Sequence, residues 1–213
     1  MVMIAARGGR KTGPKPKFSK ADVVDAAFAV GIADFTLAQV ARQLSVATSA
    51  VYRIFDSRDE LVHACLSRAA AEIAAAFDPD LSWQEALLLW ADRCWSVYER
   101  YPGLSLTILR HPSAVIHMED HLKRFVEFLT AAGLPQESAA FAIDFIGDTV
   151  ITTHIGVSAM RNVNDSGQRE LDTIFARTSD DAVFKPDEGW ADRGFLDKKL
   201  KFIITGLANE LES

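Results

Sequence analysis

Few side chains in this sequence stand in arrangements that could carry out chemistry. His117 and His121 are four residues apart, so a helix would bring them to one face, where they could share a metal with Glu119, Asp120 or His111 nearby. No cysteine cluster or complete ligand set accompanies them. Solvated histidines at a helix start are the simpler reading, and no metal is expected. Asp148 is more informative, because it stands in the apolar stretch 139–160, where a carboxylate needs a partner from the protein or from a ligand. Neither G-x-S-x-G, H-E-x-x-H nor a phosphate-binding glycine loop occurs, so no enzyme and no cofactor is expected, although distant residues can still converge in space.

The chain has 213 residues with 49% hydrophobic content, enough to bury a real core. Its net charge of −6 disguises a steep asymmetry. Residues 1–20 hold Arg7, Arg10, Lys11, Lys15, Lys17 and Lys20 with no acid, so this arm carries +6 and the remainder −12. A short basic arm on an acidic body points to local contact with a polyanion; the alternative is a solvated tail. The only cysteines, Cys65 and Cys94, fall in apolar helical stretches and read as free buried thiols in a reducing cytoplasm. Met1–Ala6 is too short for a signal sequence, and the stretch 139–160 contains Asp144, Asp148 and His154, which makes it a poor membrane span.

The elements that must position these groups are helices. Apolar residues recur at three and four residue intervals, with almost no strand-like alternation, so the fold class is all-α. Thr36 with Gln39 and Ser57 with Glu60 form the hydroxyl and acid or amide pairs of capping boxes, and Ser19 with Asp22 is a weaker relative. These caps predict helices near 19–30 and 36–43 and a third starting at 57, with a turn and one short helix between the last two. Leu37, Val40, Ala41 and Leu44 face Val46, Ala50, Val51 and Ile54 in a helix-turn-helix.

The run from Phe35 to Leu61 resembles the DNA-binding segment of the tetracycline-repressor (TetR) family. The matching positions are Thr36, Val40-Ala41, Leu44, Val46, the aromatics Tyr52 and Phe55, and the helix start Ser57-Arg58-Asp59-Glu60-Leu61. The resemblance is strong over about residues 18–66 and architectural beyond. Where the family usually has glycine, serine, glycine and histidine, this chain has Ser45, Ala47, Ser49 and Ile54. Ser45 is therefore expected in a left-handed conformation, and Thr48 or Ser45 is left to cap the recognition helix.

The resemblance implies a division into a basic arm at 1–17, a three-helix DNA-binding domain at 18–63 and a helical effector-binding and dimerisation domain at 64–213. It also places the recognition helix in the major groove of double-stranded operator DNA. Thr48, Ser49 and Arg53 are then the candidates for base contact, Arg53 foremost because a guanidinium can pair twice with guanine. Thr36, Tyr52, Arg58, Lys15, Lys17 and Lys20 are candidates for phosphates.

Beyond residue 58, Leu61, Cys65, Ala69 and Ile73 mark one helix. Trp83, Leu87, Trp90, Cys94, Tyr98 and Tyr101 mark a second, ended by Pro102-Gly103. Further helices are expected over 104–110, 113–132, 136–160 and 195–211, with a mobile connection and one short helix over 161–194. The last helix has one stripe at Leu196, Leu200, Ile203, Leu207 and Leu211 and a second at Phe195, Phe202 and Gly206, which leaves a face for a partner. In the resembled family the last two long helices form the four-helix interface of a homodimer. The same bodies hold a small-molecule effector between helices. Trp90, Cys94, Tyr98, Phe125, Phe145, Asp148 and Thr152 combine aromatic walls with hydrogen-bonding groups and are the pocket candidates. The expected function is a cytoplasmic transcriptional repressor released from a palindromic operator by its effector. The rivals are a helical binding protein without operator recognition, and an enzyme.

Overall fold

In the computed structural model, residues 18–74 and 76–212 are described. Four helices build the head: α1 (Lys20–Val30), α2 (Leu37–Gln43), α3 (Thr48–Val51) and the start of α4 (Arg58–Ile73). Their starts follow the hydroxyl caps. Ser19 and Thr36 each accept a hydrogen bond from the backbone three residues on, while Asp22 and Gln39 reach back to complete both boxes. The expected ranking of the caps is corrected here. The Ser19 box is complete, whereas Glu60 accepts from the Asp56 amide instead of the Ser57 amide, leaving the Ser57 box half formed. Val23, Ala27, Ile32, Phe35, Val40, Val51, Phe55, Leu61 and Val62 close the head's core, all at 1% exposure or less.

The body comprises α5 (Trp83–Arg100), α6 (Leu104–Arg110), α7 (Glu119–Ala131), α8 (Gln136–Arg161), α9 (Glu170–Arg177) and α10 (Leu196–Leu211). The expected helix 113–132 is in fact two elements, a 3₁₀ turn over Pro112–His117 and then α7. Pro112 cannot extend the preceding helix. The acidic pair Glu119 and Asp120 then sits in the first turn of α7, where the helix dipole favours it. α8 runs through the middle of the body and packs against α5, α6, α7, α9 and α10. It is long and apolar enough to cross a membrane by composition, but here it is the central helix, with Ala139, Ala142, Ile146 and Val150 fully buried.

The segment 161–194 is more tightly built than a mobile connection. Val163 bridges Arg169 around a short loop, and α9 and a 3₁₀ turn at Glu188–Ala191 follow. Arg161 donates to the carbonyls of Ala191 and Asp192, and Arg169 pairs with Asp172 and Glu188. The pairings of Arg161, and that of Arg169 with Glu188, are long-range and invisible to periodicity.

Head and body share α4, which packs on α1 in one direction and on α5 and the first 3₁₀ turn in the other. The division expected at residues 63 and 64 falls inside this helix. Tyr101 stacks on Phe28 with centroids 3.8 Å apart and donates to Glu72. At the foot of α6, Gly103 has φ +86°, and a Cβ there would lie 3.0 Å from that of Ala33, so only glycine lets this turn lie against the head.

Candidate nucleic-acid interface and effector cavity

The turn between α2 and α3 ends α2 as a Schellman motif: the Val46 amide donates to Ala41 O at 2.9 Å and the Ser45 amide to Arg42 O at 3.0 Å. Ser45 occupies the left-handed position with φ +56°, as its place in the turn requires. The cap of α3 differs from expectation. Neither Thr48 nor Ser45 caps it; Ala47 is the N-cap residue, in an extended conformation and with no side chain to offer. Ala47→Ser should therefore stabilise the protein by about 1 kcal/mol and raise the thermal midpoint by about 2–4 °C, because the backbone is already placed for a serine cap. An unchanged melting curve would contradict this account of the turn.

Helical hydrogen bonding continues beyond α3, since the Phe55 amide donates to Val51 O. Ser49, Tyr52 and Arg53 are exposed on this short element and Thr48 is half-buried, while Val51 anchors it in the core. Arg53 Nε lies 3.4 Å from Ser49 O, a long contact that leaves most of the guanidinium unused. Tyr52 is 52% exposed, so its ring is open to a partner. Lys20 lies over the Phe55 ring at 4.8 Å and remains exposed. Thr36 is exposed, but its hydroxyl is engaged with Gln39. Arg58 has a structural role beside the expected one: its Nε and Nη2 donate to the carbonyls of Phe35 and Ala33 at 2.9 and 2.8 Å, so it pins α4 to the loop before α2. Lys15 and Lys17 lie outside the described residues.

In the body, Trp90, Cys94, Tyr98 and Asp148 converge on one cavity of about 400 Å³ between α5, α6, the 3₁₀ turn and α8. Trp90, Cys94 and Tyr98 are buried and form its floor; Leu109, Val115, Asp144 and Asp148 are exposed and form its rim. A Cβ at Gly147 would lie 3.4 Å from the Trp90 ring, so this glycine lets the indole lie close against α8. Asp148, expected to need a partner from the protein or from a ligand, is not buried in the apolar helix but stands exposed at the rim. Burial pushes the Cys94 and Cys65 thiols up to about 12, so neither is a thiolate near neutral pH.

The other pocket candidates lie elsewhere. Phe125 stacks on Phe77 at 4.5 Å and lines a second cavity of about 330 Å³, separated from the first by Trp90, Met118 and Leu122. Phe145 and Thr152 line other grooves of α8: Phe145 borders one with Phe202, and Thr152 borders another with Phe195. Residues 144, 147, 148 and 151 centre on one direction around α8 and 145, 149 and 152 on another about a third of a turn away, so Asp148 and Thr152, one turn apart, fall on either side of the cavity's edge.

Sequence reasoning overlooked Asp144 and His111 on the cavity wall, and also His154. His154 is buried, hydrogen-bonded to Ser105, and lies 3.2 Å from Glu99 without alignment for a hydrogen bond. Burial lowers its pKa against the pull of Glu99. His117 and His121 do not converge: His117 contacts Ser67 and His63, and His121 contacts Arg124.

A Schellman turn, a short exposed helix bearing Arg53 and an acidic helical body with an internal cavity define a helix-turn-helix DNA-binding transcriptional regulator. The comparisons agree with that class. Residues 22–65 match the family described as bacterial regulatory proteins, tetR family. The HTH-type transcriptional regulator SrpR of Pseudomonas putida is 26% identical over 163 residues, covering 70% of this chain and 73% of that one. A possible TetR family transcriptional regulator from Streptomyces coelicolor A3(2) shares the fold with a TM-score of 0.70 at 16% identity, over 90% of this chain and 99% of that one. ActR from Streptomyces coelicolor in complex with (S)-DNPA has a TM-score of 0.59 at 17% identity, over 91% and 98%. The segment 22–65 thus matches the tetR family, and the chain as a whole shares the fold of these solved regulators.

Proposed function

We propose that the protein is a homodimeric repressor whose grip on a near-palindromic operator is released by a small molecule bound in the cavity walled by Trp90 and Tyr98. The observation that carries this reading is the placement of α6. Its last turn lines the cavity through Ile108 and Leu109, while both its ends meet the head loop, Gly103 against Ala33 and Arg110 with Asp34 at 3.7 Å. A ligand that displaces α6 therefore acts on the head directly. For release, it must bind the two head positions with different affinity. That ActR is solved with a bound small molecule supports a ligand role for a body of this fold.

Dimerisation has its own support. Phe202 is 81% exposed on α10, and Phe141 and Phe145 on α8 are about half exposed. α8 and α10 pack together, so these aromatics border one apolar face that water covers poorly. A two-fold pairing of that face sets two recognition helices about 34–36 Å apart, one DNA turn. Soluble location in the cytoplasm follows from a DNA target. The enzyme reading finds little to stand on, with both thiols buried and protonated and the relatives named as regulators.

Light scattering at micromolar concentration tests the assembly. Wild type is expected at twice the monomer mass, and Phe202→Glu, which changes only an exposed side chain, at the monomer mass with operator binding lost. A monomeric wild type, or a variant that stays dimeric, would contradict the proposal.

A further inference from the structure

We infer that the cavity floored by Trp90, Cys94 and Tyr98 selects a lipophilic cation, an aromatic or apolar body carrying one positive charge. The inference rests on reading that cavity as the effector site and goes on to assign the chemical class of its ligand.

The walls accept an apolar body. Trp90, Tyr98, Ile143 and Met118 line the interior, and a volume of about 400 Å³ suits a molecule of a few fused or linked rings. The polar groups decide the charge. Asp144 and Asp148 stand one turn apart on α8, on either side of Gly147, and both border the cavity at its exposed rim. Neither forms an ion pair among the described residues, and no lysine or arginine among those residues lines the cavity.

One further feature adds to the same sign, while His111 Nδ1 is engaged by the Thr107 carbonyl oxygen at 2.9 Å and is not a donor left over for an anion. α6 ends at this wall with its carbonyl end, the negative end of its dipole. The one cation of its last turn, Arg110, is directed to Asp34 instead.

A cationic ligand thus places its apolar body against the Trp90 and Tyr98 rings, whose faces attract positive charge, and its charged end between the two rim carboxylates. An anion of the same shape meets two like charges and no compensating donor.

Calorimetric titration of the full-length protein tests this with two probes of the same shape, the (2-naphthylmethyl)trimethylammonium cation and its neutral carbon isostere 2-neopentylnaphthalene. Wild type is expected to bind the cation about tenfold more tightly, with the advantage shrinking in high salt. The double variant Asp144→Asn, Asp148→Asn alters two exposed side chains and should remove that advantage while leaving the neutral probe's affinity unchanged. Leu109→Trp, at the exposed rim, should weaken both probes by obstructing the mouth.

If the neutral probe binds as tightly as the cation to wild type, or the double variant keeps the full preference, the cationic class is overturned. Provided Leu109→Trp still weakens both probes, the cavity reading then survives. If wild type binds neither probe, or Leu109→Trp binds both as wild type does, the cavity itself is not the ligand site and the inference falls with it.

Discussion

Deleting residues 1–17 is expected to weaken binding to every DNA sequence alike and to flatten its dependence on salt. The deletion removes Arg7, Arg10, Lys11, Lys15 and Lys17. The head offers little in their place, since over 18–63 the bases Lys20, Arg42, Arg53 and Arg58 are outnumbered by Asp22, Asp25, Asp34, Asp56, Asp59 and Glu60. Arg58, moreover, is engaged with backbone carbonyls. If only Lys15 and Lys17 of each protomer meet phosphates, the dimer loses four such contacts. The slope of log affinity against log salt should then be shallower by about 3 to 4, which at 0.1 M salt is a loss on the order of a thousandfold. Affinity measured from 50 to 300 mM salt on one duplex checks this. An unchanged slope would make the arm a passive tail.

Arg53→Ala should act differently, because it removes reading rather than grip. The side chain is exposed and its single contact with Ser49 O is long, so the fold should be indifferent to its loss. A bidentate guanine contact is worth about 1–3 kcal/mol, and two distant copies in a dimer add to about 2–6 kcal/mol on the preferred operator. Binding to random DNA should change far less. Equal losses on operator and random duplexes would reassign Arg53 to a phosphate.

The legible and illegible parts of this protein divide along physical lines. Caps are local, so Ser19, Thr36 and Ser57 mark the starts of α1, α2 and α4 in the sequence itself, whereas the left-handed backbone of Ser45 is legible only through the resemblance to a family that has glycine there. The helical stripe 83, 87, 90, 94 and 98 likewise marks the buried face of α5. Side-chain direction on α8 is harder to read. That helix is apolar nearly all round, so periodicity does not say which arc meets the cavity, and Asp148 falls inside its edge while Phe145 and Thr152 fall outside it.

Long-range partners are harder still. The capture of Arg58 by the carbonyls of Ala33 and Phe35, and of Arg169 by Glu188, joins residues with no sequence signal between them. His111 and Asp144 were overlooked because each is an ordinary polar residue until α6 and α8 meet around the cavity.

Selection of bound duplexes from a random DNA pool by the purified full-length protein is the most direct test of a dimeric regulator that reads operator sequence. The account predicts enrichment of a near-palindrome whose half-sites are centred about one helical turn apart, or a multiple of it, with a strong guanine preference at one position of each half-site that Arg53→Ala relaxes. Retention of DNA without any enriched sequence, or of single half-sites with no fixed spacing, would contradict it.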